Sequence, residues 1–297
     1  MRATPNTMPD VLTGIQQTQQ SLNLAVSQLS SGKRVNLPSD DPSASAQMVR
    51  NLAASANIDQ YTKNSSSILS QAQMADSTLS SVVSSLNQAI TVGTEGANGT
   101  LTQTNRDAAA QELQGIISTV VSQANMSFQG SSLFSGTAQT TTPFTADSNS
   151  PSGYTYNGNS GINNVAIGDS ETVQTNVPGD QIFDHAGASV LGSLTGLLTA
   201  LKTGTASDIS AASVSVTTAL NYVGQQRAIY AGTVNQVNAQ ESYLSQETLT
   251  LTSQQTDLIG ADVATSATAL SQAEVAHSAV LAAAAKTIPN SLLNYLK

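Results

Sequence analysis

Val216, Val223, Tyr230, Val237, Leu244, Leu251 and Leu258 place apolar side chains at seven consecutive positions of strict period seven. In a chain that is 39% apolar, chance placement of such a run is improbable. An α-helix turns once in about 3.6 residues, so a side chain recurring every seventh position stays on one slowly drifting stripe. Holding that stripe on a partner imposes a left-handed supercoil, so the run predicts one long helix packed against another. The alternate seam positions are weaker. Leu220 and Val234 are apolar there, but Arg227, Glu241 and Gln255 are not. The stripe is narrow, and its expected partners are other slender helices.

Such partners are legible elsewhere. Val11, Ile15, Thr18, Leu22, Ala25 and Leu29 alternate spacings of four and three, an amphipathic helix with the same kind of seam. A second helix is expected from about Pro42 to Val92, with its seam in Ile68, Ala72, Ala75, Leu79, Val82, Leu86 and Ala89. A third covers about Arg106 to Gln123 through Leu113, Ile117 and Val120. The long heptad helix loses phase at Ile259-Gly260, and Val263, Ala267 and Leu270 begin a new one. An Ala-rich helix then continues to about Lys286, where Pro289 is expected to end it before "SLLNYLK".

From Phe134 to Phe183 the composition turns to Gly, Asn, Ser, Thr and Pro with short β-prone runs. "GYTYNGNSG" holds an Asn157-Gly158 turn signal, and "NNVAIGD" and "ETVQTNVPGD" read as short strands. A helix over 184–203 brings the chain back. The expected fold is mainly α: an elongated, discontinuous, coiled-coil-like helical body from both halves of the chain, carrying a small β insert. The body is assigned to 41–135 and 184–259 and the insert to 136–183.

Composition narrows the function. Charged residues are 10%, against roughly 25% in ordinary domains. Net charge is −9 with only ten Lys and Arg, so nucleic-acid binding has no electrostatic footing. Zero cysteines exclude disulfides and thiolate metal sites. The start shows no secretion signal, and the longest apolar run, Ala279 to Ala285, falls far short of the ~20 residues of a membrane span. The chain reads as soluble.

The densest chemistry is "LSSGKRVNLPSDDPS", residues 29–43. A phosphate loop needs Gly five residues before the Gly-Lys pair and Ser or Thr after the Lys. Here Ser27 and Arg34 stand in those places. Gly32 reads better as the left-handed cap of the first helix, with Lys33 and Arg34 near its negative end. Asp40 and Asp41 are adjacent on a turn, whereas catalytic carboxylates face each other across a cleft. Asp41 before Pro42 matches a helix N-cap followed by proline at the first helical position. The expected site is thus a helix joint of Gly32, Lys33, Arg34, Asp40, Asp41 and Pro42.

Glu274 and His277 have the Glu-x-x-His spacing of di-iron bundles, but the second pair is missing because Ile182 precedes His185 where a Glu is needed. With two histidines and no cysteine, no catalytic, metal or cofactor site is expected, and no enzyme. His277 reads as a surface or inter-helix residue. Tyr154, Tyr156 and Tyr230 read as packing.

Together these residues resemble the flagellin superfamily. "QLSSGKRVNLPSDDPSASAQ" (28–47) is similar to its N-terminal signature, and Lys33-Arg34 with "PSDDP" is closer to the hook–filament junction branch than to filament flagellins. "NMSFQGSSLFSGTAQTTTPF" (125–144), "YNGNSG" with "VPGDQIF" (156–183), and the stretch 257–297 resemble the junction branch in its middle domain and the shared C-terminal region. The resemblance implies an extracellular structural subunit of the bacterial flagellum. It implies export through the flagellar type III apparatus without signal cleavage. Its implied partners are a ring of identical subunits, the first hook-associated protein, flagellin and a cytosolic export chaperone. A filament-forming flagellin is the alternative.

Narrow seams on single helices are marginal in water. Residues 1–40 and 260–297 are therefore expected to be terminal assembly helices, mobile before assembly. The expected assembly seam is Val11, Ile15, Leu22, Leu29, Leu258, Val263, Leu270, Leu281, Leu292 and Leu293. Ile15, Leu22 and Leu29 should pair with Val263, Leu270 and Leu281, within and between subunits.

Overall fold

The computed structural model describes the backbone of residues 7–295 and side chains from 9 to 286. In chain order the elements are α1 (Thr7–Ser31), α2 (Pro42–Gly96), α3 (Gln103–Ala124), β1 (Ser127–Phe128), β2 (Ser131–Ser132), β3 (Phe144–Ala146) and β4 (Tyr154–Tyr156). They continue as β5 (Asn164–Ala166), β6 (Thr172–Gln174), α4 (Gly179–Phe183), α5 (Val190–Thr203), α6 (Ala206–Ile259) and α7 (Val263–Tyr295). The protein is mainly helical, with its short strands confined to the middle of the chain. Those strands form three antiparallel two-stranded ribbons, β1–β2, β3–β4 and β5–β6.

The chain divides into two compact units. One holds α1, the start of α2 to Asn57, the end of α6 from Gln246, and α7; the other is Ile58–Ser245. The second unit contains the main core. The expected seam of α2 is buried at every position, from Ile68 to Ala89. On α6, Val216, Val223, Tyr230, Val237 and Leu244 are buried, joined by Leu113 and Val120 of α3 and Leu191, Leu194, Leu197 and Leu201 of α5. Leu251 and Leu258, which belong to the first unit, are only half-buried.

Polar residues interrupt the α6 stripe because they bond across to α2. Arg227 grips Asp76 through two nitrogens, at 2.9 and 3.2 Å, and Ser66 donates to Glu241 at 3.3 Å. In the first unit Gln255 donates to Ser55 at 3.3 Å. Partner numbers fall on α2 as they rise on α6, so the two helices run antiparallel. A polar side chain paired across an otherwise apolar seam favours one register over its slipped alternatives.

The insert packs through aromatic rings. Phe134 and Phe144 both meet Phe183 edge-on, with centroids 5.4 and 5.5 Å away. The Tyr156 hydroxyl lies 2.9 Å from the Phe134 carbonyl and 3.0 Å from that of Asn159, and accepts the Gly179 N–H. Burial pushes this phenol up to about 12, so its proton stays available for donation. The β5–β6 ribbon lays Ile167 and Val173 against Ile68 of α2 and Val237 of α6. At its end Tyr61 donates to Asp169 and Gln236 to Glu171.

Four details differ from the sequence expectations. Asn157-Gly158 makes no hairpin. The β3–β4 connection is 147–153, where Asp147 accepts from the Asn149 N–H and the Thr155 hydroxyl and Gly153 takes φ +75°. Gly158 is needed for close approach instead: a Cβ there would come within 2.8 Å of the Ser135 carbonyl. The helix expected over 184–203 starts at Val190, because Ser189 accepts the Gly192 N–H and caps it there. A separate short α4 precedes it. The ribbon β1–β2 lies ahead of the expected insert; its two-residue strands leave no alternation to detect. Finally, α7 runs through Pro289 to Tyr295. Proline removes one N–H and crowds the preceding turn, a cost a helix can absorb as a local distortion rather than a stop.

Tyr230 offers a sharp test of the core. Its hydroxyl accepts the buried Val177 N–H at 3.1 Å, and burial raises the phenol pKa strongly. Tyr230→Phe should cost about 1–3 kcal/mol in denaturant unfolding, because that N–H loses its partner. Leu86→Ala in the same core should cost about 2–5 kcal/mol, while Leu249→Ala, at 62% exposure, should stay within about 0.5 kcal/mol.

Candidate functional site

The stretch 29–43 is built as a joint, and it faces a second joint. Gly32 adopts φ +66° and donates its N–H to the Gln28 carbonyl at 3.0 Å, closing α1. Lys33 then pairs with Gly260 as an isolated antiparallel bridge. The Arg34 N–H donates to the Ile259 carbonyl at 2.7 Å, and the Ala261 N–H donates to the Gly32 carbonyl at 3.0 Å. The break between α1 and α2 is thus stitched, backbone to backbone, to the break between α6 and α7. The carbonyls at the ends of two helices are satisfied by each other's continuing chain.

Side chains fix the angle. One Arg34 guanidinium nitrogen lies 3.1 Å from Asp41 Oδ2 and 2.8 Å from the Leu258 carbonyl. Gln28 donates to the Arg34 carbonyl at 2.9 Å. Asp40 Oδ2 accepts the N–H groups of Asn36 and Leu37 at 3.0 and 2.8 Å. Asp41 Oδ1 accepts the Ala44 N–H at 3.0 Å, with Pro42 as the first residue of α2. The Ala44 N–H and then Arg34 hold the Asp41 carboxyl below its ordinary 3.8. On the other side Asp262 starts α7, accepting the Ala264 and Thr265 N–H groups, and these hold its carboxyl low as well. Acceptors already occupied by backbone donors hold the chain rather than transfer protons. Val35 and Ala44, between and beside these residues in the chain, are buried.

The remaining expected seam residues divide. Val11, Ile15, Leu22, Leu258 and Leu270 are half-buried. Leu29, Val263 and Leu281 are exposed, at 36%, 64% and 46%. Leu292 and Leu293 lie outside the residues whose side chains are described. On α1 and α7 small and polar residues join the half-buried large ones. Ala25 of α1 and Ser266, Ala273 and Ala284 of α7 are buried, a Cβ on Gly14 would sit 3.7 Å from Val280, and Thr18 Oγ1 lies 3.1 Å from His277 Nδ1. The α7 face Ser266, Leu270, Ala273, His277, Val280 and Ala284 keeps spacings of four and three, so its signal was present. Scoring by large apolar residues passes over it.

His277 is therefore an inter-helix residue, while Glu274 is exposed. His185 stacks on Tyr222 at 4.3 Å. Among the described residues no three His, Asp or Glu side chains gather as a metal site, and no helix is long and apolar enough to cross a membrane.

The joint's carboxylates set its pH response. A carboxyl whose folded pKa lies below its unfolded value contributes stability above the unfolded value, and that stability is lost as pH falls through the folded one. Amide-exchange protection at Arg34 and Ala261, corrected for intrinsic rates, should stay flat from about pH 5 to 8 and collapse below 3.8. Arg34→Lys should weaken protection at both amides without moving the unfolding of 58–245. The shorter lysine side chain does not carry its ammonium out to the place of the one guanidinium nitrogen that meets both acceptors. Unchanged protection in that variant would show that the backbone bridge stands without the guanidinium.

Residues 7–140, which include the first joint, match the family described as the bacterial flagellin N-terminal helical region. Flagellar hook-associated protein 3 of Escherichia coli strain K12 is 29% identical over 259 residues, 79% of this chain and 80% of that protein. The Salmonella typhimurium protein of the same name is 29% identical over 185 residues, 62% of this chain and 54% of that one. Among solved structures, a flagellar hook-associated protein of Vibrio parahaemolyticus matches with a TM-score of 0.69 at 24% identity, over 74% of this chain and 100% of that one. The flagellar junction protein of Legionella pneumophila gives 0.62 at 15% identity, over 72% and 100%.

Proposed function

We propose, for a chain that belongs to the flagellin superfamily and is related to flagellar hook-associated protein 3, that it is the structural subunit joining the hook-associated zone to the filament. The role is mechanical, without catalysis. The observation that carries the reading is where the large apolar side chains are left uncovered. Leu12, Leu24, Val26 and Leu29 of α1 and Val263, Val275 and Leu281 of α7 are all exposed. The buried and half-buried side chains of α1 and α7 stand at other positions, so these exposed ones remain for contacts outside the chain. Uncovered apolar area is unfavourable by roughly 25 cal/mol per Å² and marks an interaction surface when it is contiguous. No charged residue occurs from 11 to 32, so copies meet there without like-charge repulsion.

In this reading the terminal helices are mobile in the free subunit and are ordered by coiled-coil packing in a ring of identical copies. The first hook-associated protein lies on one side and flagellin on the other. Family likeness supports export through the flagellar type III apparatus, with a cytosolic chaperone covering the same faces until then. Leu29, Val263 and Leu281 serve between subunits rather than within one. The match to the flagellin N-terminal region also favours a second reading, a filament-forming flagellin.

Immunogold labelling of intact flagella separates the two. A single band of label at the hook–filament boundary is expected; label along the whole filament would establish the flagellin reading instead. Val275→Asp, at a position 68% exposed, should leave unfolding within about 0.5 kcal/mol of the parent yet strongly reduce incorporation into flagella. Normal incorporation of that variant would remove the exposed α7 face from the assembly contacts.

A further inference from the structure

We propose that Asn98-Gly99, in the turn between α2 and α3, is a self-modification site at which the chain deamidates without an enzyme. The inference is independent of the assembly role. Cyclisation at an Asn needs the next backbone nitrogen to reach the side-chain Cγ, and a side chain on the following residue obstructs that approach. Gly99 offers no obstruction, and a Cβ built there would meet nothing within 4 Å. Asn98, Gly99 and Thr100 are all exposed, so water and base reach the turn.

The side chain is also activated. Asn98 Oδ1 accepts two hydrogen bonds, from the Thr100 hydroxyl at 2.8 Å and the Thr100 N–H at 3.2 Å. The second folds the amide over the Asn98–Gly99 peptide as an Asx turn. Both donors point at the oxygen that gains negative charge when nitrogen adds to Cγ, which is the logic of an oxyanion hole.

The chemistry balances with water alone. Solvent base takes the Gly99 amide proton, and its nitrogen forms a bond to Asn98 Cγ. The tetrahedral intermediate collapses, the bond from Cγ to the side-chain nitrogen breaks, and that nitrogen takes up a proton and leaves as ammonia. One water then opens the succinimide at either carbonyl, giving aspartate or isoaspartate at 98. No redox partner is needed.

The other Asn-Gly pair is held against this reaction. Asn157 donates its side-chain nitrogen to Thr145 Oγ1 at 2.9 Å, and its backbone N–H is bound to the Pro143 carbonyl at 2.8 Å. The next residue is wedged, since a Cβ on Gly158 would come within 2.8 Å of the Ser135 carbonyl.

A carboxylate at 98 would sit at the negative end of α2, one turn after Glu95. The last bonds of that helix, Ala97 N–H to Gly93 and Asn98 N–H to Glu95, would weaken. Isoaspartate adds a methylene to the main chain and would separate the Leu101 N–H from the Asn98 carbonyl, now 3.0 Å apart.

The test ages the purified full-length chain at physiological temperature, at mildly alkaline and mildly acidic pH, followed by peptide mapping and isoaspartyl methyltransferase labelling. Aspartate and isoaspartate should accumulate at 98 in the alkaline sample and far more slowly in the acidic one, with Asn157 intact. Thr100→Val should slow conversion several-fold and Thr100→Ser should restore it. In urea both Asn-Gly pairs should convert, and Thr100→Val should lose its effect. The proposal is overturned if native Asn98 converts no faster than native Asn157, or if Thr100→Val leaves the native rate unchanged.

Discussion

The backbone bridge between 32–34 and 259–261 is the constraint on which the first unit depends. Two chain breaks, each where one helix must stop and another start, would leave unsatisfied carbonyls and N–H groups. Placing the breaks side by side lets each supply what the other lacks: Arg34 N–H to Ile259, Ala261 N–H to Gly32, and the Arg34 guanidinium to Leu258. Asp41 and Asp262 then cap the two outgoing helices. The paired breaks anchor α1 and α7 at the same place in the fold. Those two helices can therefore lie together along a seam too thin to hold them unaided.

The thinness has a chemical origin. Ala25, Ala273, Ala284, Gly14 and Ser266 allow close approach but bury little area, whereas Leu12, Leu24, Val275 and Leu281 point elsewhere. A chain designed to be complete alone would reverse that distribution. In the second unit it is reversed: Leu79, Leu86, Leu194, Leu201, Val216 and Val223 are all buried, and the polar positions of the stripe are paired across the helices. The contrast between a self-sufficient core and an unfinished pair of terminal helices is what a subunit of an assembly requires.

Much of this was legible in the residues. The heptad run located α6, and the seam from Ile68 to Ala89 located the buried face of α2 residue by residue. Gly32 and Asp41-Pro42 marked the joint because left-handed caps and N-caps are local chemistry. What the joint faces was not legible. Nothing in "LSSGKRVNLPSDDPS" points to Ile259-Gly260, more than two hundred residues away, since backbone bridges are indifferent to side-chain identity. The roles of Arg227, Glu241 and Gln255 were hidden for a related reason: a polar residue in a stripe looks like a defect until its partner is seen. In the insert, Asn157-Gly158 misled because a turn signal and a close-approach glycine share one spelling. On α7 the buried Ser266, Ala273 and Ala284 went unread because small side chains carry little weight in any apolar pattern.

The central claim is that the exposed faces of α1 and α7 are covered in the flagellum. Hydrogen–deuterium exchange of the free chain, set against the same chain in isolated flagella, tests it most directly. The account predicts fast exchange in both terminal helices of the free subunit and strong added protection there on assembly, with the core of 58–245 protected equally in both. Terminal helices as slow to exchange in the free chain as in the flagellum would contradict it.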